Sequence, residues 1–290
     1  MQVIQNQKQA NKPIKTYINS CYPSLTKSEQ KVADLVLEKM ENVMYYSVTD
    51  LADMVGVGET TVLRFCRKIG YKAYQEFKLA IAKDQSNAQG EQQENDDENG
   101  KHETFISAIA ANSISAIQET ASMLDEAALE KAIEWIEKAR SVHFFGVGTS
   151  GLTALDAKNR FLRIGRRTDA VIDSHIQAMT ASTLTNEDVV IGLTVSGSTK
   201  DTIDSLKIAR ENGAHIISIT YYARSPITKI SDIVLLSGGK ESPMEGGSLA
   251  AKIGQLFVID LLCTGLALRT KDFSLSMKER TARSVLDKIY

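Results

Sequence analysis

Two short stretches hold the side chains best suited to chemistry. The first, "FFGVGTSG" (144–151), spaces Gly146, Gly148 and Gly151 as GxGxxG and sets Thr149 and Ser150 among them. The second, "GLTVSGSTKDT" (192–202), crowds Thr194, Ser196, Ser198 and Thr199 behind an apolar run. Main-chain N–H groups at a helix start, joined by short hydroxyls, form a cradle for an anion. The glycine spacing taken alone is also that of a dinucleotide fold, with Asp173 as a candidate ribose carboxylate, so NAD is a competing ligand. Hydroxyl content favours one phosphate: a pyrophosphate grip relies on bare glycine backbone and has no need of a second hydroxyl loop. The plain alternative for the second loop is a Ser/Thr-rich cap and turn.

Nucleophilic catalysis finds little support. "VSGST" is not G-x-S-x-G, because Thr194 stands two positions before Ser196. The histidines (His102, His143, His175, His215) are scattered, and His175 alone is placed near the strand ends. "GGKES" around Lys240 is not a Walker sequence, and no metal-ligand spacing occurs. No catalytic residue, metal or cofactor is therefore assigned. Glu241 and Glu245 in "GGKESPMEGGS" follow the last apolar run and could bind sugar hydroxyls or, in an isomerase, act as a base. Solvated loop acids are an equally good reading.

A third stretch, "SVTDLADMVGVGETTVLRFCRKIG" (47–70), has the pattern of a helix-turn-helix. Small Ala52 sits where two helices must approach, Gly56 stands at the turn, and Val57, Val62 and Phe65 face a core. Gly58, Glu59, Thr60 and Thr61 are then expected at the exposed start of the second helix, with Arg64, Arg67 and Lys68 beyond. Thr60 and Thr61 suit a thymine methyl, Arg64 a guanine and Glu59 a cytosine, while the other basic residues suit phosphates. A bare αα-hairpin is the simpler alternative.

The elements that must position these residues divide the chain in two. At 290 residues, 43% apolar and 24% charged, it has the composition of a globular protein with room for two domains. Residues 1–84 read as an all-α helix-turn-helix domain; Thr26 with Glu29 forms a capping-box pattern ahead of Val32, Leu35 and Val36. Residues 85–103 read as an acidic flexible linker, with no apolar residue larger than Ala to offset its ordering entropy. Residues 104–290 read as an α/β domain with its core at about 126–270. Two helices precede "VHFFGVG", and the runs "DAVI", "DVVIGLTV", "HIISIT" and "IVLLS" follow, separated by helical patterns. The expected fold is three-layered, a five-stranded parallel sheet with helices on both faces. A short helix is expected before "IVLLS", a long one over about 248–269, and a last one at "KERTARSVLDKIY".

The formal charge of −2 hides a pattern. Residues 1–85 carry 12 Lys/Arg against 9 Asp/Glu, and residues 86–104 carry one Lys against six acids. So weakly basic a head argues for two heads on two half-sites. Three separated cysteines (Cys21, Cys66, Cys263) suit a reducing setting. The start of the chain has no signal-peptide pattern, and no run is read as approaching the roughly 18 apolar residues of a membrane span. A cytoplasmic location is expected.

Both halves together resemble the RpiR-type bacterial transcription regulators, a helix-turn-helix head joined to a sugar-isomerase (SIS) domain. "GETTVLRFCRKIGYKAYQEFK" is similar to that family's recognition helix and the helix after it, "GVGTSG" and "VSGSTKDT" to its two phosphosugar loops, and "ESPMEGGSLAAKIGQLFVIDLL" to its closing loop and helix. The resemblance spans nearly the whole chain apart from the first dozen residues and the acidic linker. It implies a homodimer or homotetramer that binds operator DNA and senses a phosphorylated sugar, in control of sugar or amino-sugar catabolism genes. By motif position Thr149, Ser150, Thr194, Ser196 and Thr199 would hold the phosphate. Glu245 departs from the pattern, in which a basic residue is common. Within the family the chain is most similar to regulators of N-acetylmuramic acid 6-phosphate use. An SIS-type phosphosugar isomerase or lyase remains the alternative.

Overall fold

A computed structural model describes residues 14–93, 104–244 and 246–288. The chain divides into two compact units, Met1–Thr104 with Glu241–Gly246, and Phe105–Lys240 with Gly247–Tyr290.

The first unit is helical: α1 (Ile14–Cys21), α2 (Lys27–Glu38), α3 (Met40–Val43), α4 (Val48–Val55), α5 (Glu59–Lys68) and α6 (Tyr74–Gln93). The expected capping box starts α2. Glu29 N–H donates to Thr26 Oγ1 at 3.4 Å, and Thr26 N–H donates to Glu29 Oε2 at 2.8 Å. Apolar residues at helical spacing (Val32, Val36, Leu51, Val62, Phe65, Phe77) are fully buried and form one core, with Phe65 edge-on to Phe77. Ser47 and Asp50 form a second capping box at α4. Gly56 ends that helix at φ +70°, where its N–H reaches Ala52 and Asp53 carbonyls. A left-handed residue after the last turn is what glycine does without steric cost. The boundary expected near residue 84 moves: α6 continues to Gln93, through the first part of the expected linker. The rest of that linker, with His102, lies outside the described residues.

The second unit holds α7 (Phe105–Met123), α8 (Glu126–Lys138), β1 (Ser141–Phe145), α9 (Gly148–Arg163), β2 (Thr168–Val171), α10 (Ser174–Ala181), β3 (Asp188–Leu193), α11 (Lys200–Glu211), β4 (His215–Thr220), β5 (Ile233–Leu236), α12 (Leu249–Arg269) and α13 (Lys271–Arg283). The strands are parallel in the order β2-β1-β3-β4-β5. Alternate strand residues feed two cores. Phe144, Val189, Ile191 and Ile217 pack with α8, α9 and α12; Phe145, Val190 and Ile216 pack with α10 and α11. Side chains of successive strand residues point to opposite faces, so a helix layer lies on each side.

Two expectations are corrected here. No helix forms between β4 and β5 among the described residues; the segment is a series of turns stitched by Ser225, Thr228 and Ser231 hydroxyls bonding to nearby backbone. Short side chains that bond their own backbone compete with a helix. The other concerns α12, whose 21 residues are long and apolar enough to cross a membrane, against the reading that no run is. Here Val258, Ile259, Leu262 and Leu266 are buried in the core, so α12 is the sheet's central cover. At the chain's end α13 begins at Lys271, earlier than the sequence pattern suggested.

Candidate functional site

The strand order decides where the two hydroxyl loops lie. β1 connects outward to β2, while β3 connects the opposite way to β4, so the winding reverses between β1 and β3. Ligands of open α/β sheets bind beyond the carboxyl ends of the strands at such a reversal. Phe145 pairs with Gly192 in the ladder, which starts both loops side by side.

In the first loop a Cβ at Gly146 would lie 2.9 Å from the Ser150 carbonyl, and Gly148 has φ +57°. Only glycine allows α9 to begin so tightly against β1. Thr149 is exposed, and a Cβ at Gly247 would lie 2.7 Å from its Cγ2, so the loop before α12 closes on it. Ser150 is buried, and its Oγ accepts from Gln255 Nε2 at 3.1 Å.

The second loop draws its hydroxyls together. Thr194 Oγ1 lies 2.7 Å from Thr199 Oγ1 and 3.4 Å from Ser196 Oγ. Ser198 N–H donates to Ser196 Oγ at 3.2 Å, and Ser198 Oγ donates to the Ser196 carbonyl. Gly197 has φ +60°, and a Cβ there would lie 2.1 Å from Ser225 Oγ.

Neither helix that leaves these loops has a capping side chain: Val147 precedes α9 without one, and the Thr199 side chain gives α11 no cap bond. By contrast Asp125, Asp173 and Ser248 cap α8, α10 and α12. First-turn N–H groups without a capping side chain, with the positive end of the helix dipole behind them, bind an anion. Asp173, the proposed ribose ligand, spends Oδ1 on the Ile176 N–H, at 2.9 Å.

The remaining expected residues fall elsewhere. Glu241 is half-buried and belongs with the segment grouped with the helical unit. Glu245 lies outside the described residues. His175 is exposed on α10, and His215 stacks on Trp135. His143 bonds Ser141 Oγ at 2.8 Å, and burial holds its pKa below the ordinary value. No His or carboxylate bonds to the Thr194, Ser196, Ser198 or Thr199 hydroxyls among the described residues.

Two glutamines went unnoticed in the sequence. Gln177 of α10, fully buried, donates to the Gly146 carbonyl at 3.0 Å and the Val171 carbonyl at 2.7 Å. Gln255 holds Ser150 from the other face of the sheet. Gln255 left a signal, a lone amide within the apolar run of α12; Gln177 left none.

In the helical unit α5 begins at Glu59, with Gly58 as an N-cap that has no side chain to offer. Gly58, Thr60, Arg64 and Arg67 are exposed, one basic face over an apolar base. One expected reader, Thr61, is corrected, and two others have partners within the unit. Thr61 is 7% exposed, and its hydroxyl accepts from Arg64 at 3.2 Å. Glu59 accepts from Thr49 Oγ1 at 2.6 Å, tying α5 to α4. Lys68 pairs at 2.7 Å with Glu29, which is buried. Helical spacing turned Thr61 inward beside Val62 and Phe65, while a hydroxyl bond engages Glu59 and an ion pair engages Lys68.

A helix-turn-helix unit joined to a doubly wound α/β unit with such a crevice is the plan of a ligand-responsive transcriptional regulator. Residues 12–88 match the helix-turn-helix domain of the rpiR family, and residues 135–265 match the SIS domain. An HTH-type transcriptional regulator of Haemophilus influenzae is 39% identical over 278 residues, covering 93% of this chain and 95% of the relative. The HTH-type transcriptional regulator HexR of Escherichia coli is 30% identical, covering 93% of this chain and 95% of HexR. The solved structure of the Vibrio vulnificus NanR protein complexed with ManNAc-6P has a TM-score of 0.87 at 28% identity, covering 96% of this chain and 100% of NanR. The chain belongs to the rpiR family of helix-turn-helix transcriptional regulators with an SIS domain.

Proposed function

We propose that the crevice between the β1 and β3 loops holds the phosphate of a phosphorylated sugar, and that this ligand changes the affinity of the helical unit for operator DNA. The observation that carries the reading is the pair of helix starts without side-chain caps beside the Thr194–Ser196–Thr199 hydroxyl cluster. The likeness to NanR, solved with ManNAc-6P, supports an amino-sugar 6-phosphate; N-acetylmuramic acid 6-phosphate and ManNAc-6P are the first candidates. Thr149, Ser150, Thr194, Ser196, Ser198 and Thr199 with the Gly148 backbone bind the phosphate. On the DNA side, Gly58, Thr60, Arg64 and Arg67 meet the operator. The loops are assigned binding and no turnover, a reading supported by the relatives named as transcriptional regulators. A cytoplasmic homo-oligomer brings two weakly basic heads to two half-sites. A coupling of about 1–3 kcal/mol between ligand and DNA corresponds to roughly 5–150-fold in operator affinity.

A thermal-shift panel of sugar phosphates, their unphosphorylated sugars, NAD and NADP tests the reading. Ligand that binds only the native state raises the melting temperature by mass action. One sugar phosphate is expected to stabilise the protein, and Ser196→Ala is expected to lose that shift without losing operator affinity. A shift with NAD alone would transfer the site to the dinucleotide reading, and turnover of a hexose phosphate would make the protein an isomerase or lyase.

A further inference from the structure

We propose a second anion site, at the opposite end of the sheet, that takes a phosphorylated small molecule. α9 ends at Arg163, and Gly165, at φ +82°, turns the chain back toward β2. A Cβ at Gly165 would lie 2.3 Å from Met277 Cγ, so α13 packs directly on this turn. Between them opens a cleft of about 650 Å³ lined by Arg166, Arg167 and Arg280, with the hydroxyl residues Thr168, Thr281 and Ser284. Thr168 is the first residue of β2, whereas the hydroxyl loops follow strand ends, so the two places are separate.

No carboxylate of the described residues lines this cleft. None of its three guanidinium groups has a carboxylate within 4.0 Å among the described residues, whereas Arg140, Arg160, Arg210, Arg269 and Arg283 all do. Arg166 is held in place: its Nη2 donates to the carbonyls of Ile136, at 3.0 Å, and Glu137. Its Nε, and Thr168 Oγ1 beside it, are buried with no hydrogen-bond partner among the described residues. Burial also holds the Arg166 pKa below its ordinary value, and the Glu137 carboxylate offsets only part of that shift.

Three guanidinium groups around one cleft repel one another until an anion enters. Their planar forks match phosphate oxygens, and a dianionic monoester answers their charge better than a carboxylate does. The volume is in the range of small-molecule sites, roughly 300–1,000 Å³. Leu162 and Met277 add an apolar wall for the group that bears the phosphate.

The test is calorimetric titration of the full-length protein with inorganic phosphate and pyrophosphate, with chloride at matched ionic strength as control. The variants are Arg167→Glu with Arg280→Glu, the milder Arg280→Gln, and Ser196→Ala. Anion binding at this site is expected to survive in Ser196→Ala and to weaken at least tenfold in the paired glutamate variant, whose melting temperature without ligand stays unchanged. Arg280→Gln is expected to fall between them, which keeps the test open if the paired variant fails to fold. Equal titrations in wild type and arginine variants would overturn the proposal, as would competition by chloride at the same strength. So would operator DNA affinity falling in the arginine variants while pyrophosphate binding stays intact, since the patch would then serve nucleic acid.

Discussion

Gln255 Nε2 donates to Ser150 Oγ across 3.1 Å, with Gln255 1% and Ser150 7% exposed. An amide N–H can only give, so the serine oxygen accepts here and its own proton is free to point elsewhere. In the proposed function that proton is the one assigned to the phosphate. Gln255→Leu is expected to weaken sugar-phosphate binding about three- to tenfold, near the ordinary worth of one hydrogen bond. The check is a double-mutant cycle with Ser150→Ala. If Gln255 acts through Ser150, the leucine change costs nothing further once the hydroxyl is gone; additive losses would mean that it acts some other way.

Gly197 is constrained twice, by φ +60° and by Ser225 Oγ beneath it. Gly197→Ala is expected to destabilise the SIS unit by more than about 1 kcal/mol, through left-handed strain plus a clash. Urea unfolding should show a lower midpoint at unchanged slope. Gly58→Ala, at an extended backbone position where a Cβ would meet only Thr60 Oγ1 at an ordinary 3.7 Å, should show much less.

Arg64 and the ion-paired Lys68, two basic residues of α5, should separate cleanly. Arg64→Ala is expected to cost about 1–3 kcal/mol of operator affinity, as loss of one good base contact does, with the melting temperature unchanged. Lys68→Met should do the reverse, lowering stability because Glu29 then keeps its charge with less compensation. Burial pushes the Glu29 carboxyl up, and hydrogen bonds from Lys68 and Thr26 outweigh it, leaving its pKa below the ordinary value. Electrophoretic shift and thermal melts on both variants distinguish the roles, and a stability loss in Arg64→Ala would place that residue in the fold.

Asp188 is fully buried at the start of β3, where Arg140 Nε reaches it at 3.1 Å and Ser141 Oγ at 2.7 Å. Burial pushes its carboxyl up, but bonds from Arg140, Ser141 and the Thr185 N–H win, and it settles at about 2. The folded value lies below the unfolded one, near 4, so the unfolded state binds the proton more readily. Stability from this group is full above about pH 4 and fades as pH falls toward 2. The melting temperature should drop through that window, and Asp188→Asn should melt lower at neutral pH with a shallower acid slope. An unchanged slope would remove Asp188 from the account of acid unfolding.

Local chemistry was legible from one dimension. Alternating strand and helix patterns named all five strands, Thr26 and Glu29 announced their cap, and the glycines around Thr149 and Ser196 announced two tight strand-to-helix turns. These depend on neighbours within a few residues, where backbone geometry and spacing decide. Exposure in α5 was read less well. Thr61, Glu59 and Lys68 looked available on a helical wheel, but Thr61 turns into the core and bonds Arg64, while Thr49 and Glu29 of other helices engage the other two.

What the sequence alone determined is the inventory: a helix-turn-helix pattern, a parallel-sheet alternation, and two hydroxyl-rich loops with the means to hold an anion. Only the tertiary structure decided their partners. The strand order set β1 beside β3 and so made two loops nearly fifty residues apart into neighbours. It also brought Gln255 under Ser150 and gathered Arg166, Arg167 and Arg280 around one cleft. Such encounters are long-range, fixed by how apolar faces pack and not by local spacing, so no window of the chain contains them.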